Sequence, residues 1–132
     1  MSENTIITLK RREQLCLITS GEISTLAPLK MIAFGSGGVD IEGNPIPPEI
    51  DADRLNNELG RYPIDSIVYP LDPKRRTTAR YTATIPAGDL IGASISETAL
   101  VDSNGELCAI KTMFIKRKDD GVTFTFTFDD EF

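Results

Sequence analysis

The strongest constraint on the fold is the alternation of side chains over residues 122–128, near the end of the chain. Val122, Phe124, Phe126 and Phe128 alternate there with three threonines. A period of two is the spacing of side chains along a β-strand, so one face carries aromatic rings and the other carries hydroxyl groups. We interpret the phenylalanines as core residues. The alternative, a platform for stacking nucleic-acid bases, needs a basic surround, whereas acidic residues follow this segment.

Five more segments have the composition or the alternation of strands, and short turn signals separate several of them. Asn104-Gly105 lies between two apolar runs, which is a strong signal for a β-hairpin. Pro63 and Pro70 bound one of the segments. The five predicted strands are residues 29–34, 64–69, 77–85, 95–101 and 107–115.

Two helices are predicted. Thr8 is placed to cap a helix over residues 9–20, and Gly21 supplies the left-handed residue that commonly ends one. We expect the apolar stripe of this helix to pack on the sheet. Asp51 or Asp53 can cap a second, short helix over residues 54–59, in which Leu55 and Leu59 lie four residues apart, as on one face of a helix. Gly60 would end this helix.

These elements define the predicted fold class as α+β. We expect an antiparallel β-sheet or sandwich of about five to six strands, with an N-terminal helix and a short middle helix. The length of 132 residues, with 40% hydrophobic and 26% charged residues, suits a single domain over residues 1–132. Residues 1–7 are expected to be a mobile lead and residues 129–132 an acidic tail.

Composition argues against several classes of function. The net charge of −6 argues against a general nucleic-acid binder, and the absence of histidine removes Ser-His and Cys-His nucleophiles and imidazole metal sites. Cys16 and Cys108 lie among apolar residues and are expected to be buried free thiols, with a disulfide between them as the alternative. The N-terminus does not have the pattern of a secretory signal, and the apolar runs are far shorter than the ~20 residues of a membrane span. We therefore expect no cofactor, no nucleic acid and no membrane, and synthesis in the cytoplasm.

Three basic triplets stand out locally, at residues 10–12, 74–76 and 116–118. We interpret them as the solvated ends of secondary-structure elements. The alternative is a phosphate-binding patch formed where the three triplets meet in space.

The unusual segment of the chain is residues 35–48, which combine four glycines with three prolines after a buried strand. A phosphate cradle would require a Gly-Lys-Ser/Thr ending, and a calcium loop would require alternating acidic ligands before a glycine; neither pattern is present. Long loops of this composition are usually binding or packing surfaces. The candidate partner-binding residues are Gly35, Ser36, Gly37, Gly38, Val39, Asp40, Asn44, Pro45, Pro47 and Pro48, with Arg54 and Arg61 as nearby anchors.

Several segments together resemble a known family. They are MIAFGSGGVDIEGNPIPP at residues 31–48, the RLNNEL segment at 54–59, and ISETALVDSNGEL at 95–107. This order of segments resembles the phage tail-collar fibre protein family, the N-terminal attachment module of tail fibres. The chain carries Thr98-Ala99 where the family usually carries Val-Gly. We expect the protein to lack the shaft and the receptor-binding tip of a full fibre subunit.

The resemblance implies a structural protein of a phage tail or tail-like particle that connects fibre to baseplate or collar, as a homotrimer. It also implies assembly in the cytoplasm of the bacterial host. Sequence alone leaves open an assembly factor, or chaperone, that is absent from the mature particle. A third hypothesis is a small hydrolase that uses paired acids such as Glu97 and Asp102. No nucleophile accompanies that pair in the sequence, so we expect the protein not to be an enzyme.

Overall fold

A computed structural model describes residues 4–71, 74 and 76–132. The described residues contain seven strands, which form one antiparallel sheet that curls into a half-barrel. The order of the strands across the sheet is β1-β6-β5-β2-β3-β4-β7. In chain order the strands are β1 (Thr5–Ile7), β2 (Leu29–Gly35), β3 (Glu58–Val68), β4 (Thr78–Ile85), β5 (Ser94–Asp102), β6 (Leu107–Arg117) and β7 (Phe124–Glu131).

The predicted antiparallel sheet is confirmed, but it has seven strands in the described residues rather than five or six. The additional strand is β1, which lies inside the segment expected to be a mobile lead. It pairs with β6, where Ile6 lies opposite Ile110. The acidic residues expected to form a tail belong to β7 as far as Glu131 and pair with β4. Both ends of the domain are therefore held by ladder hydrogen bonds.

The predicted middle helix is wrong. Residues 54–57 form a bend and a turn, and β3 begins at Glu58. Gly60 lies opposite Phe34 of β2, so the segment that follows the turn is used in the sheet. Leu55 is buried on the sheet while Leu59 is exposed, which separates the two residues that suggested a helical face. Tertiary contacts therefore override a weak local propensity for helix.

The predicted N-terminal helix is confirmed as α1 (Leu9–Thr19). Among the described residues, no helix has the length and the apolar composition of a membrane-spanning segment. Thr8 caps α1 through its Oγ1, which accepts from Arg11 N at 3.3 Å and donates to Leu107 O at 2.9 Å. Gly21 follows with a φ of +85°. No residue of α1 is fully buried, but Leu15 and Ile18 of the predicted apolar stripe are half-buried. The cap of the helix makes direct hydrogen bonds to the sheet.

The two cysteines differ in their surroundings. Cys108 lies in β6 and is buried as predicted, and burial raises the pKa of its thiol to about 12. Cys16 is exposed on α1, so the prediction of a buried thiol is wrong there. Cys16 is exposed because α1 lies on the surface of the protein.

The inner face of the half-barrel holds the larger of two cores. Phe34 is fully buried at its centre, where its ring packs at 4.9 Å from the Phe126 ring and 5.9 Å from the Tyr62 ring. Phe126 and Phe128 are both buried, which confirms the interpretation of these alternating aromatics as core residues. The buried members of this core are Leu29, Ile32, Phe34, Ala83, Ile85, Ile95, Leu100, Cys108, Ala109, Phe126 and Phe128.

The opposite, outer face of the sheet holds a second and smaller core. Ala33 and Ala99 lie one residue along their strands from inner-face residues, so they point to the other side. Leu55, from the segment between β2 and β3, covers them. The buried members are Ala33, Leu55, Ala99, Val101, Leu107 and Ile110. A long loop is therefore part of the packing of this face.

The hairpin predicted at Asn104-Gly105 is confirmed between β5 and β6. Asp102 closes it, since its Oδ1 accepts from Asn104 N at 2.9 Å and from Glu106 N at 3.0 Å. A buried carboxylate thus replaces water as the partner of two turn N–H groups.

The three basic triplets have different surroundings. Lys10 is exposed and pairs with Glu106. Lys118 is fully buried, and its ammonium group donates to Ala87 O at 3.1 Å, so it is not a solvated end. Arg75 of the second triplet lies outside the described residues.

Asp130 on β7 makes the stability of the fold sensitive to pH. Asp130 is 8% exposed, and burial raises the pKa of its carboxyl to about 6. The positive charge of Arg11 lowers this pKa, but its effect is smaller than that of burial. A raised folded-state pKa means that the folded chain binds the proton more tightly than the unfolded chain. The contribution of Asp130 to stability is therefore fully present below its unfolded pKa near 4 and is lost as the pH rises through about 6.

We expect Asp130→Asn to stabilise the protein at pH 7.5 by about 2 kcal/mol and to flatten the pH dependence between 4.5 and 7.5. Urea denaturation at both pH values measures this effect. Asp129→Asn is the matched control, because Arg80 lowers the pKa of that carboxyl and its loss should destabilise at pH 7.5. A less stable Asp130→Asn protein at pH 7.5 would contradict the account.

Candidate functional site

The candidate site is the long loop, residues 36–57, which joins β2 to β3 and lies over the outer face of the sheet. Near the end of the loop, Leu55 is buried. In the middle of the loop, Ile46 O accepts a hydrogen bond from Thr112 Oγ1 of β6 at 2.8 Å. Val39 and Pro45 form a small β-bridge within the loop. The loop is therefore held at several points along its length.

A single buried carboxylate ties both ends of the loop together. Glu97 lies in β5 and is 1% exposed. Its Oε2 accepts from Gly37 N at 2.7 Å and from Asn57 N at 2.8 Å. Its Oε1 accepts from Asn56 N at 2.9 Å. A buried carboxylate loses its hydrogen bonds to water, and here three backbone N–H groups from two distant segments take the place of those bonds. Hydrogen bonds to an ionised acceptor are stronger than those between neutral groups.

The glycines at the start of the loop are required by close packing against β5. A Cβ atom at Gly35 would lie 2.6 Å from both Asn57 O and Glu97 Oε2, and one at Gly38 would overlap Ser96 O. Gly38 N also donates to Ser96 Oγ at 2.9 Å. The loop backbone therefore approaches β5 more closely than any side chain permits, which explains the Gly-Ser-Gly-Gly sequence.

Side-chain amides complete the base of the loop. Asn56 donates from Nδ2 to Gly37 O at 2.9 Å, and Asn57 donates from Nδ2 to Ser36 Oγ at 2.6 Å. The beginning and the end of the loop are therefore joined to each other as well as to Glu97.

The tip of the loop, residues 40–44, is a stiff turn. Asp40 Oδ1 accepts from Glu42 N and from Asn44 N, both at 2.9 Å, and Asp40 N donates to Asn44 O at 2.9 Å. Gly43 has a φ of +85°, which side-chain-bearing residues rarely adopt. Ile41 is held at this tip and is fully exposed to solvent. The arrangement presents one large apolar side chain on a pre-formed turn.

The predicted partner-binding residues fall into buried and exposed groups. Gly35 and Gly38 are buried, and Ser36, Gly37, Val39, Pro45 and Pro48 are half-buried. These residues form the base of the loop or its contact with the sheet. The exposed residues among those predicted in the loop are Asp40, Asn44 and Pro47.

The two predicted arginine anchors do not lie together. Arg54 is exposed in the loop and forms an ion pair with its neighbour Asp53 at 3.0 Å. Arg61, on β3, pairs with Glu58 at 2.9 Å and donates to Gly105 O at 2.9 Å. Arg61 therefore braces the turn between β5 and β6.

Sequence reasoning missed the residues that hold the loop in place. Glu97, Ser96, Asn56 and Asn57 were not predicted as site residues, and Ile41 was passed over inside the predicted segment. One signal was available: Glu97 is a glutamate in the middle of an otherwise apolar and small-residue strand. A charged residue at such a position usually has a specific buried partner.

The carboxylates considered for acid-base chemistry are engaged separately. Glu97 holds the long loop, and Asp102 holds the β5–β6 turn. Among the described residues, no group of three or more His, Cys, Asp or Glu side chains is arranged to hold a metal ion.

Comparison of the chain with models of known families, with curated proteins and with solved structures gave no match in any of the three cases. Functional inference therefore depends on the geometry of this loop and on the resemblance of its sequence.

We expect Glu97→Gln to destabilise the protein by about 3 kcal/mol. The amide replaces one acceptor oxygen by donors, which leaves at least one buried N–H of the loop without a partner. Urea denaturation measures the change. Glu49→Gln is the matched control, because Glu49 is an exposed glutamate of the same loop and its replacement should change stability by less than about 0.5 kcal/mol. Equal stability of the Glu97→Gln and Glu49→Gln proteins would show that the carboxylate does not hold the loop.

Proposed function

We propose that this protein is a structural component of a phage tail or phage-derived tail-like particle that connects fibre to baseplate or collar. We further propose that it attaches through the tip of the long loop. The observation that carries the proposal is a fully exposed Ile41 on a rigid turn, above a loop base fixed by Glu97.

Rigidity is what makes this loop suitable for docking. A loop that is ordered before binding loses little conformational entropy when it binds, so more of the contact energy appears as affinity. Burying the exposed Ile41 side chain in a partner pocket would contribute about 2 kcal/mol. A flexible loop of the same composition would lose more than this in becoming ordered, at about 1–2 kcal/mol for each residue.

Charge indicates the chemistry of the partner surface. Asp40 and Glu42 flank Ile41, and the loop as a whole carries five acidic residues and one basic residue, Arg54. We therefore expect the partner to present an apolar pocket with a basic rim. Complementary charge of this kind increases the rate of association and selects the correct partner.

The resemblance to the tail-collar family supports the same surface. Residues 31–48, 54–59 and 95–107, which carry that resemblance, are far apart in the sequence but meet around the carboxylate of Glu97. A shared pattern of glycines, asparagines and a glutamate is what such a junction requires. The resemblance also favours a homotrimer located in the tail of the particle after assembly in the cytoplasm of the bacterial host.

Replacement of Ile41 by aspartate should leave the domain folded but reduce incorporation of the protein into particles by at least about tenfold, because an exposed side chain contributes little to folding. Peptide mass spectrometry of purified tail particles, from cells that express only the variant, measures incorporation relative to the tube protein. Ile91→Asp is the matched control, since Ile91 is exposed in a different turn and its variant should be incorporated normally.

Two outcomes would count against the proposal. Normal incorporation of Ile41→Asp would show that the loop tip is not the attachment surface. If the wild-type protein is absent from intact particles but abundant in the lysate, it acts as an assembly factor and not as a built-in connector.

A further inference from the structure

The last strand, β7, forms one end of the sheet and exposes a row of backbone groups. Phe132 N donates to Thr77 O at 2.8 Å, just beyond the register that pairs β7 with β4. Hydrogen-bonded pairs alternate along an antiparallel ladder, so even-numbered residues of β7 bond to β4. Thr125, Thr127 and Asp129 therefore direct their N–H and C=O groups away from the sheet.

Lysine side chains, and not a strand, lie against this edge. Lys111 of β6 donates from Nζ to Thr127 O at 3.0 Å. Three lysine ammonium groups lie over the three aromatic rings of β7, which brings the end of β6 opposite β7 across the opening of the half-barrel. The pairs are Lys111 with Phe128 at 5.1 Å, Lys116 with Phe126 at 5.6 Å, and Lys118 with Phe124 at 6.0 Å.

Two lysine ammonium groups lie along this opening, and the carboxylate of Asp129 beside them is paired with Arg80. Neither Lys111 nor Lys116 forms an ion pair within the part of the chain that the structure describes. Burial lowers the pKa of Lys111 and the neighbouring Lys116 ammonium lowers it further, while the Asp129 carboxylate acts in the opposite direction. Lys118 is buried and occupied by Ala87 O, so the two lysines available to a ligand are Lys111 and Lys116.

We infer that this opening, which we call the seam (Thr125, Thr127 and Asp129 facing Lys111 and Lys116), is a strand-addition site for an extended acidic segment of a partner protein. Backbone groups of the added segment pair with the outward groups of β7. The carboxylates of the added segment form ion pairs with the ammonium groups of Lys111 and Lys116. This surface is distinct from the long loop, and the inference does not depend on the proposed function.

The same lysine explains why the edge would select such a partner. Charged side chains commonly protect edge strands from indiscriminate pairing, and here the lysine comes from β6 and covers the edge of β7. Lys111 occupies Thr127 O, so a neutral or basic strand must displace an ammonium group without offering it a new partner. An acidic strand supplies a carboxylate for that ammonium group as it takes the backbone position. The device therefore combines protection of the edge with selection of the ligand.

The probe is a capped eight-residue peptide in which glutamate alternates with valine, labelled for fluorescence anisotropy. We expect saturable binding to the full chain that weakens by about tenfold when glutamine replaces the glutamates, since each of the two charge pairs contributes about threefold. Lys111→Met should weaken binding of the glutamate peptide by about threefold. It should strengthen binding of the glutamine peptide, because that peptide no longer has to displace an ammonium group from Thr127 O.

Substitutions at Thr127 test the backbone contact directly. Thr127→Pro removes a backbone N–H that points away from the sheet, and an edge strand tolerates proline at such a position. The variant should therefore stay folded but lose peptide binding. Thr127→Ala keeps the N–H and should bind as the wild type does. Circular dichroism verifies that both variants are folded.

Three results would overturn the inference. They are an absence of binding to the glutamate peptide, equal binding of the glutamate and glutamine peptides, and unimpaired binding by a folded Thr127→Pro protein. Self-association of the chain that Thr127→Pro removes, measured by analytical ultracentrifugation, would instead assign the edge to a second copy of the protein.

Discussion

The hydrogen bonds from three backbone N–H groups to the carboxylate of Glu97 are the interaction on which the rest of the site depends. They fix Gly37 at the start of the long loop and Asn56 and Asn57 at its end. Because all three donors converge on one side chain of β5, the loop cannot shift along the sheet without leaving a carboxylate unpaired. That constraint positions Leu55 over the outer core and allows β3 to begin at once beside β2.

The base and the tip of the loop have separate tasks. The base needs glycine because its backbone passes against β5, and it needs buried acceptors because its N–H groups are removed from water. The tip is stabilised locally by Asp40 and faces solvent with Ile41. A rigid base lets the tip be exposed without being mobile, which is the condition for a docking element that binds without a large ordering cost.

The features that follow from local sequence were predictable. Alternation predicted β4 and β7, and Asn104-Gly105 predicted the hairpin, because each depends on residues close together in the chain. The position of the long loop depends on contacts across about 40 to 60 residues, between Glu97 and the two segments that it joins. Leu55 and Leu59 have helical spacing, but the outer core and the ladder to β2 decide their conformation. The exposure of much of α1 could not be predicted either, because the apolar residues of the helix do not reveal how far the sheet covers them.

Amide hydrogen exchange, measured by NMR on the wild-type protein, tests the role of the Glu97 carboxylate most directly. The account predicts that the N–H groups of Gly37, Asn56 and Asn57 are protected as strongly as those in the centre of β5, although they lie in a loop. The N–H of Ile41, for which the structure shows no hydrogen bond within the described chain, should exchange rapidly. Rapid exchange at Gly37, Asn56 and Asn57 together would show that the loop opens freely and that the carboxylate does not organise it.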